Sequence, residues 1–294
     1  MKLFEIERTH MYNRKLLLSV LLLLCLMGTG CTDRKSPAGE ESVEEDSLAA
    51  DTLLADTVAD LVEEVPETKA VDELFDDFFF NFAGNRRMQM SRIVFPLPIH
   101  KDGGTAMLTR RQWQYSHFFM GEGFYTILLD NSEQDSLSKS YGLTHASVEK
   151  LYLDEGRMKE YSFVRGEEGE WRLTEVSHKS IADHPCASFL QFYQRFSADS
   201  AYQVRSLDEF VVMTAPDSDD EEFNEVTGSI MPEQWPTFKP EVIPHGVVYC
   251  VNYGQQYSSD KQKVLVVRGV ANGLMIEMTF QRKDNAWKLV RFTC

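Results

Sequence analysis

The chain reads as an α+β protein made of two tandem copies of one domain, each with N-terminal helices followed by an antiparallel sheet. Three observations predict this. An aromatic stripe at helical spacing occurs twice, as Phe75, Phe78, Phe79, Phe82 and as Phe189, Phe192, Tyr193, Phe196, at an offset of 114. Behind each stripe comes a series of short segments rich in branched and aromatic residues, the pattern of strands. Finally, EYSFVRGEEGEWRL from Glu160 returns as EMTFQRKDNAWKL from Glu277, with Phe163/Phe280, Arg165/Arg282 and Trp171/Trp287 in register once one deletion is allowed. Helices first and a meander after them is an α+β arrangement. A period of about 115 residues means tandem domains, since solenoid repeats run to about 20–50.

Residues 1–30 read as a lipoprotein signal peptide. Leu16 to Met27 are apolar, Arg14 and Lys15 precede them, and Gly28, Thr29 and Gly30 follow. The run is shorter than the roughly 20 residues that cross a bilayer, and its flanks are those of a secretory leader. Cys31 directly after the small residues reads as the lipidation site of a bacterial lipoprotein. The alternative is a plain cleaved leader with an incidental cysteine. Glu5 and Glu7 are foreign to a basic leader, so Met11 is the expected start of translation.

Residues 31–70 carry the lipidated cysteine and an acidic tether. Positions 32–70 hold 12 acidic residues against Arg34, Lys35 and Lys69, and no aromatic residue. Burial cannot offset the ordering entropy of such a segment, so it is expected to be a disordered spacer.

The first domain is assigned to 71–182 and the second to 183–294. Each opens on its aromatic helix, and Asn85 and Asp199 are placed to cap a second short helix. A strand is expected around Val94–Leu97 and Phe210–Val212, then a variable loop, then Gln112-Trp113 and Gln234-Trp235. Four strands close each copy. They begin near Gly123, Val148, Met158 and Glu170 in the first, and near Gly246, Lys263, Leu274 and Ala286 in the second. Gly156 and Gly273 fall in the turns before the third of these. Phe80 lies off the stripe opposite Gln194, which predicts contact with the sister copy or partial exposure.

Paired helices, a strand, an irregular segment and a long antiparallel sheet resemble the nuclear transport factor 2-like cone fold. With the lipoprotein leader, the chain resembles a family of Bacteroidetes envelope lipoproteins defined as a domain of unknown function. The resemblance covers residues 71–294. It implies two cone-like domains with helices in the concave side of each sheet, and a lipid-anchored envelope location, at the outer membrane or periplasmic face. It transfers no catalytic residue, because cone folds host isomerases, dehydratases and binding modules alike.

Composition narrows the function. The 294 residues carry a formal net charge of -16, with 30 basic against 46 acidic side chains, which argues against nucleic acid as a partner. No nucleophile elbow, Walker loop or dinucleotide fingerprint occurs, so no cofactor is expected. His178, His184 and Asp183 cluster near the junction without zinc spacing, and Asp217–Glu225 lacks the glycine and glutamate positions of a calcium loop; no metal site is expected. Glu160 and Glu277 are the acidic pair shared by the two copies in strand positions, with Arg165 and Arg282 nearby. They read either as a base with an anion partner in each pocket or as a cross-strand ion pair. Glu160 faces away from Tyr161 and Phe163, which favours the ion pair. The tryptophans read as core anchors. Cys250 aligns with the apolar Ile127 and reads as buried. Cys186 and Cys294 bracket the second copy, so a disulfide between them is one reading and free thiols the other. The expected function is non-catalytic binding of a small molecule or protein partner, with a hydrolase or isomerase using one cone pocket as the alternative.

Overall fold

A computed structural model describes residues 74–216 and 224–294, which all fall in one compact unit, Pro66–Cys294. The leader, Cys31, the tether and residues 217–223 of the acidic run lie outside the described residues. Helix α1 (Phe75–Gly84) is followed by α2 (Arg86–Ser91), and in the second copy α3 (Ala187–Ala198) is followed by α4 (Ser200–Arg205). Asn85 accepts from the amides of Arg87 and Met88, and Asp199 from that of Tyr202. Both caps act as their side-chain chemistry predicts.

The stripes pack in the same way in both copies. Phe75 meets Trp171 edge-on at 5.0 Å between ring centroids and Phe189 meets Trp287 at 5.3 Å; Phe82 meets Phe163 at 5.3 Å and Phe196 meets Phe280 at 5.2 Å. Edge-to-face pairs at this spacing add to the gain from burial alone. A second repeated unit is polar. Gln89 accepts from the Trp113 indole N–H and Gln203 from that of Trp235, both at 3.0 Å. The Gln-Trp segments therefore matter for holding an indole against the short helix, half-buried in the first copy and buried in the second. Phe80 is half-buried against Phe119 and Tyr125.

The strands run β1 (Leu97–Lys101), β2 (Gly104–Leu108), β3 (Phe124–Leu129), β4 (His145–Tyr152), β5 (Arg157–Arg165), β6 (Trp171–Ser180), then β7 (Leu207–Pro216), β8 (Glu225–Ile230), β9 (Val247–Asn252), β10 (Gln262–Gly269), β11 (Met275–Lys283) and β12 (Ala286–Thr293). The edge strands β2 and β8 fall where only a variable loop was expected. Nearly every residue in them is exposed, so no inside–outside alternation marks them. Gly156 and Gly273 sit in the expected turns with φ of 63° and 72°, a conformation that favours glycine.

Separate sheets were expected, and the architecture differs. All twelve strands form one sheet in the order β2-β1-β6-β5-β4-β9-β3-β10-β11-β12-β7-β8. Each copy lends its first long strand to the other: β4 pairs antiparallel with β9, and β10 with β3. At the centre β3 and β9 touch in parallel, through Thr126 and Cys250. Exchanging every strand for its counterpart and reading the order backwards returns the same order. With parallel strands at the centre, this is a pseudo-two-fold along the strand direction, which turns the sheet over. Equivalent residues therefore face opposite sides. Ile127 lies in the core with α1, and its counterpart Cys250 in the core with α3.

Burial on both faces follows. Val264 and Val266 of β10 point into one core, and Leu265 and Val267 into the other. This accounts for the mainly apolar runs FYTILL, VVYCV and VLVV, buried on both faces, whereas 161–164 of β5 and 171–174 of β6 alternate as half-covered strands do. Expressed alone, residues 183–294 lack β3, the neighbour of β10, and are expected to show no cooperative melt. Mixing them with residues 71–182 should restore one. Circular dichroism melts of each piece and of the mixture check this, and a cooperative melt of either piece alone contradicts it.

Candidate functional site

The exchange brings three polar groups of residues into the centre of the molecule. The first is a seam. Asp76, in the first turn of α1, accepts from the hydroxyls of Tyr125 (3.1 Å) and Tyr253 (2.6 Å), with Arg268 at 3.8 Å. Arg268 also donates to both oxygens of Asp135, at 2.7 and 2.9 Å. Burial raises the Asp76 pKa against the two tyrosine bonds, and burial with the Asp76 charge pushes Tyr125 up to about 12. Each oxygen of Asp76 has a donor and both hydroxyls are used. The cluster ties α1, β3, β10 and the segment after β9 together, and its one loose atom is Arg268 Nε.

The second group fixes the loop after β9. Asp130, at the end of β3, is paired with Lys263 of β10. It also accepts from the amides of Ser258 (2.6 Å) and Ser259 (2.8 Å). Gln255 secures the same loop, accepting from the Tyr253 amide and donating to the Leu128 carbonyl. Burial acts to raise the Asp130 pKa, but Lys263 and the two amides outweigh it and hold the carboxyl below its usual value.

The third group is unlike the others. Glu149 of β4 faces the core of α3 because β4 lies beside β9, in register with Cys250. Its side chain is 5% exposed and lies opposite that of His184, which is 4% exposed, with His184 Nε2 3.5 Å from Glu149 Oε1. The Cys186 amide donates to His184 Nδ1 at 2.9 Å. Nδ1 is thereby an acceptor, so the ring hydrogen sits on Nε2. Burial opposes the imidazolium while the Cys186 thiol and Glu149 favour it, but the amide aimed at Nδ1 leaves no place for a second ring hydrogen. Nε2 therefore carries the hydrogen, and that atom is buried without a hydrogen-bond partner. The Tyr257 ring lies 5.5 Å from the imidazole.

Glu149 and His184 line a small cavity of about 10 Å³ under α3, room for about one water. They also line a groove of about 300 Å³ on the outer side. That groove continues into a second depression of about 460 Å³, the two sharing Glu160, Asn252, Gln255 and Gln256.

Of the residues singled out from the sequence, Glu160 lies on this groove, paired with Lys179 of the neighbouring strand and not with Arg165. Arg165 donates to the carbonyls of Gly169 and Tyr141. Glu277 accepts from Ser132 at 2.8 Å, away from the groove. Arg282 takes part through its backbone, bonding to the Lys261 carbonyl. The two glutamates and two arginines thus form no common site. Cys186 and Cys250 are buried thiols and Cys294 an exposed one, and no bridge joins Cys186 to Cys294. His184, placed by the sequence near the junction of the copies with no metal expected, is part of the site, whereas Glu149 and Tyr257 were not singled out. A signal for Glu149 existed. Glu149 pairs with Cys250 as Val266 pairs with Ile127, so the second copy has valine where the first buries a carboxylate. Among the described residues, no group of three or more His, Cys, Asp or Glu side chains is placed to hold a metal, and no helix is long and apolar enough to cross a membrane.

Residues 54–294 match a family described as a domain of unknown function, DUF4348. The chain belongs to the DUF4348 family. A crystal structure of a nuclear transport factor 2-like protein from Bacteroides fragilis is similar to this DUF4348 protein at a TM-score of 0.69 and 32% identity, over 76% of this chain and 96% of that one. The fold is thus mixed α+β, dominated by its sheet, with a nuclear transport factor 2-like neighbour. No curated protein matches.

Asp130→Asn removes the partner of a buried lysine. Breaking such a pair costs about 3–5 kcal/mol. The Asp130 pKa is depressed on folding, so its stabilisation is complete above the unfolded value of 3.8 and is lost as pH falls through the folded one. Urea melts at pH 7 are expected to show the full loss, and melts at pH 3 a smaller one. A difference that does not shrink in acid contradicts the pairing.

Proposed function

We propose that the protein is a lipid-anchored component of the bacterial cell envelope, on the outer membrane or periplasmic face, that binds a small ligand in this groove without transforming it. Each half of the sheet with its helices is read as one cone-like unit. The leader and Cys31 support the anchor, and the family match is consistent with a cone fold used for binding. One observation carries the binding reading. A buried carboxylate and imidazole meet at the groove in one half, where the sister half has Val266, and Nε2, like three other buried polar atoms of the described residues, has no hydrogen-bond partner.

Binding fits the geometry better than acid–base catalysis. While Nδ1 accepts from the Cys186 amide, loss of the Nε2 hydrogen would leave an imidazolate. Gain of one at Nδ1 would set two N–H groups face to face. His184 is therefore a fixed donor, not a proton shuttle.

Ligand-observed NMR with a mixed set of charged and neutral small molecules tests this. At least one compound class is expected to bind, and Asn252→Trp, which fills the groove, to abolish it. No binder, or binders indifferent to Asn252→Trp, would sink the reading. For the anchor, a fatty-acid analogue is expected to label the protein, and Cys31→Ala to abolish the label and release the chain to the soluble fraction. Label retained on Cys31→Ala contradicts lipidation there.

A further inference from the structure

Ligand class is set by what the Glu149–His184 pair accepts. Nε2 presents the ring hydrogen and is buried without a partner, while Glu149 Oε1 stands 3.5 Å away. That separation is too long for a well-formed N–H···O bond, but an atom about 2.8 Å from each would bridge them. Such an atom has to accept from Nε2 and donate to the carboxylate. An ionised carboxylate only accepts, an ammonium only donates and a carbonyl cannot donate, while a phosphate sets negative charge against the Glu149 carboxylate. A hydroxyl does both.

The rest of the groove has the same preference. Lys179 on its wall is already paired with Glu160, so that cation is not free for an anion. Ser147, Ser162 and Asn252 add hydroxyl and amide groups along the floor. The half-buried ring of Tyr257 supplies an apolar face beside His184. Together the two depressions exceed 700 Å³, from about 460 and about 300 Å³, a volume in the range of small-molecule sites.

The geometry points to a neutral, polyhydroxylated ligand of the saccharide class, one hydroxyl of which sits between His184 Nε2 and Glu149 Oε1. This rests on the groove being the ligand site.

The test is titration of the full chain by calorimetry with galactose, N-acetylglucosamine, maltose and cellobiose, against glucosamine, glucuronate, glucose 6-phosphate and inorganic phosphate. At least one neutral saccharide is expected to bind, at least 10-fold more tightly than the charged compounds. Glu149→Val, which copies Val266 of the sister half, removes the acceptor of a buried bond and is expected to weaken binding roughly 10- to 100-fold. Glu149→Gln keeps a weaker, neutral acceptor and is expected to lie between Glu149→Val and the wild type, a measurement that stands if Glu149→Val fails to fold. Saccharide binding untouched by the substitutions overturns the bridging hydroxyl. Binding of the charged compounds in preference overturns the ligand class while leaving the groove reading intact. Binding of none, with a water alone between the two side chains, overturns the ligand class, and if the mixed set yields no binder either, the groove reading falls with it.

Discussion

The exchange of β3 and β9 at the centre of the sheet is the constraint on which the rest of the molecule depends. Each copy is short of one strand within itself, and each completes the other. Neither aromatic core is made from one copy. The core under α1 takes Tyr249, Val251 and Val264 from the second copy, and the core under α3 takes Leu128, Leu151 and Met158 from the first. Apolar burial is proportional to area removed from water. Two faces of one strand therefore do the work that two separate half-exposed strands would do in independent domains. The polar seams are secondary to this. Asp76 meets Tyr253 and Arg268, and Asp130 meets Lys263, because the exchanged strands bring the two copies together there.

The same exchange explains why the candidate site is asymmetric. A pseudo-two-fold along the strands gives each core an equivalent set of positions, and the copies fill them differently. In the α1 core, the carboxylate of Asp76 has two hydroxyl donors and a neighbouring arginine. In the α3 core, Glu149 faces an imidazole across a gap that neither side chain closes. An incomplete buried network costs stability, and each has an open nitrogen, Arg268 Nε beside Asp76 and His184 Nε2 beside Glu149, of which the second belongs to a residue lining the groove. Retaining such a cost is understandable where the open atom meets something else. The loop held at Ser258 and Ser259 by Asp130 carries Tyr257, which lines the groove beside that open pair.

Much of the local structure was legible in the sequence. The aromatic stripes, the caps at Asn85 and Asp199, the turns at Gly156 and Gly273 and nine of the twelve strands have local causes: side-chain periodicity, a short acceptor beside free amides, a left-handed backbone; a tenth, β1, was expected at Val94–Leu97 and lies at Leu97–Lys101. Strands β2 and β8 were not legible, because a strand exposed on both faces carries no alternation. The pairing partners were not legible either. The repeat shows that β3 and β9 are equivalent, but equivalence is the same whether each stays at home or crosses over. Glu149 was hidden for a related reason. Its importance comes from lying beside Cys250 of the other copy, a contact across about a hundred residues that spacing within β4 cannot express.

One trace of the exchange is nevertheless present in the composition of the strands. A strand covered on one face by helices alternates, as Tyr161 and Phe163 do against Ser162 and Val164 in β5 and Trp171 and Leu173 against Arg172 and Thr174 in β6. The runs FYTILL, VVYCV and VLVV do not alternate, and a chain of half-covered strands has no reason to place apolar side chains on its wet face. Continuity in those three segments, set against alternation in β5 and β6, requires a second covering layer, and the copy's own helices supply only one. The second layer has to come from the sister copy's helices on the opposite face. An axis along the strands that turns the sheet over is the arrangement that provides it, and Glu149, the one charged residue buried in β4, stands at the place where that second layer meets the groove.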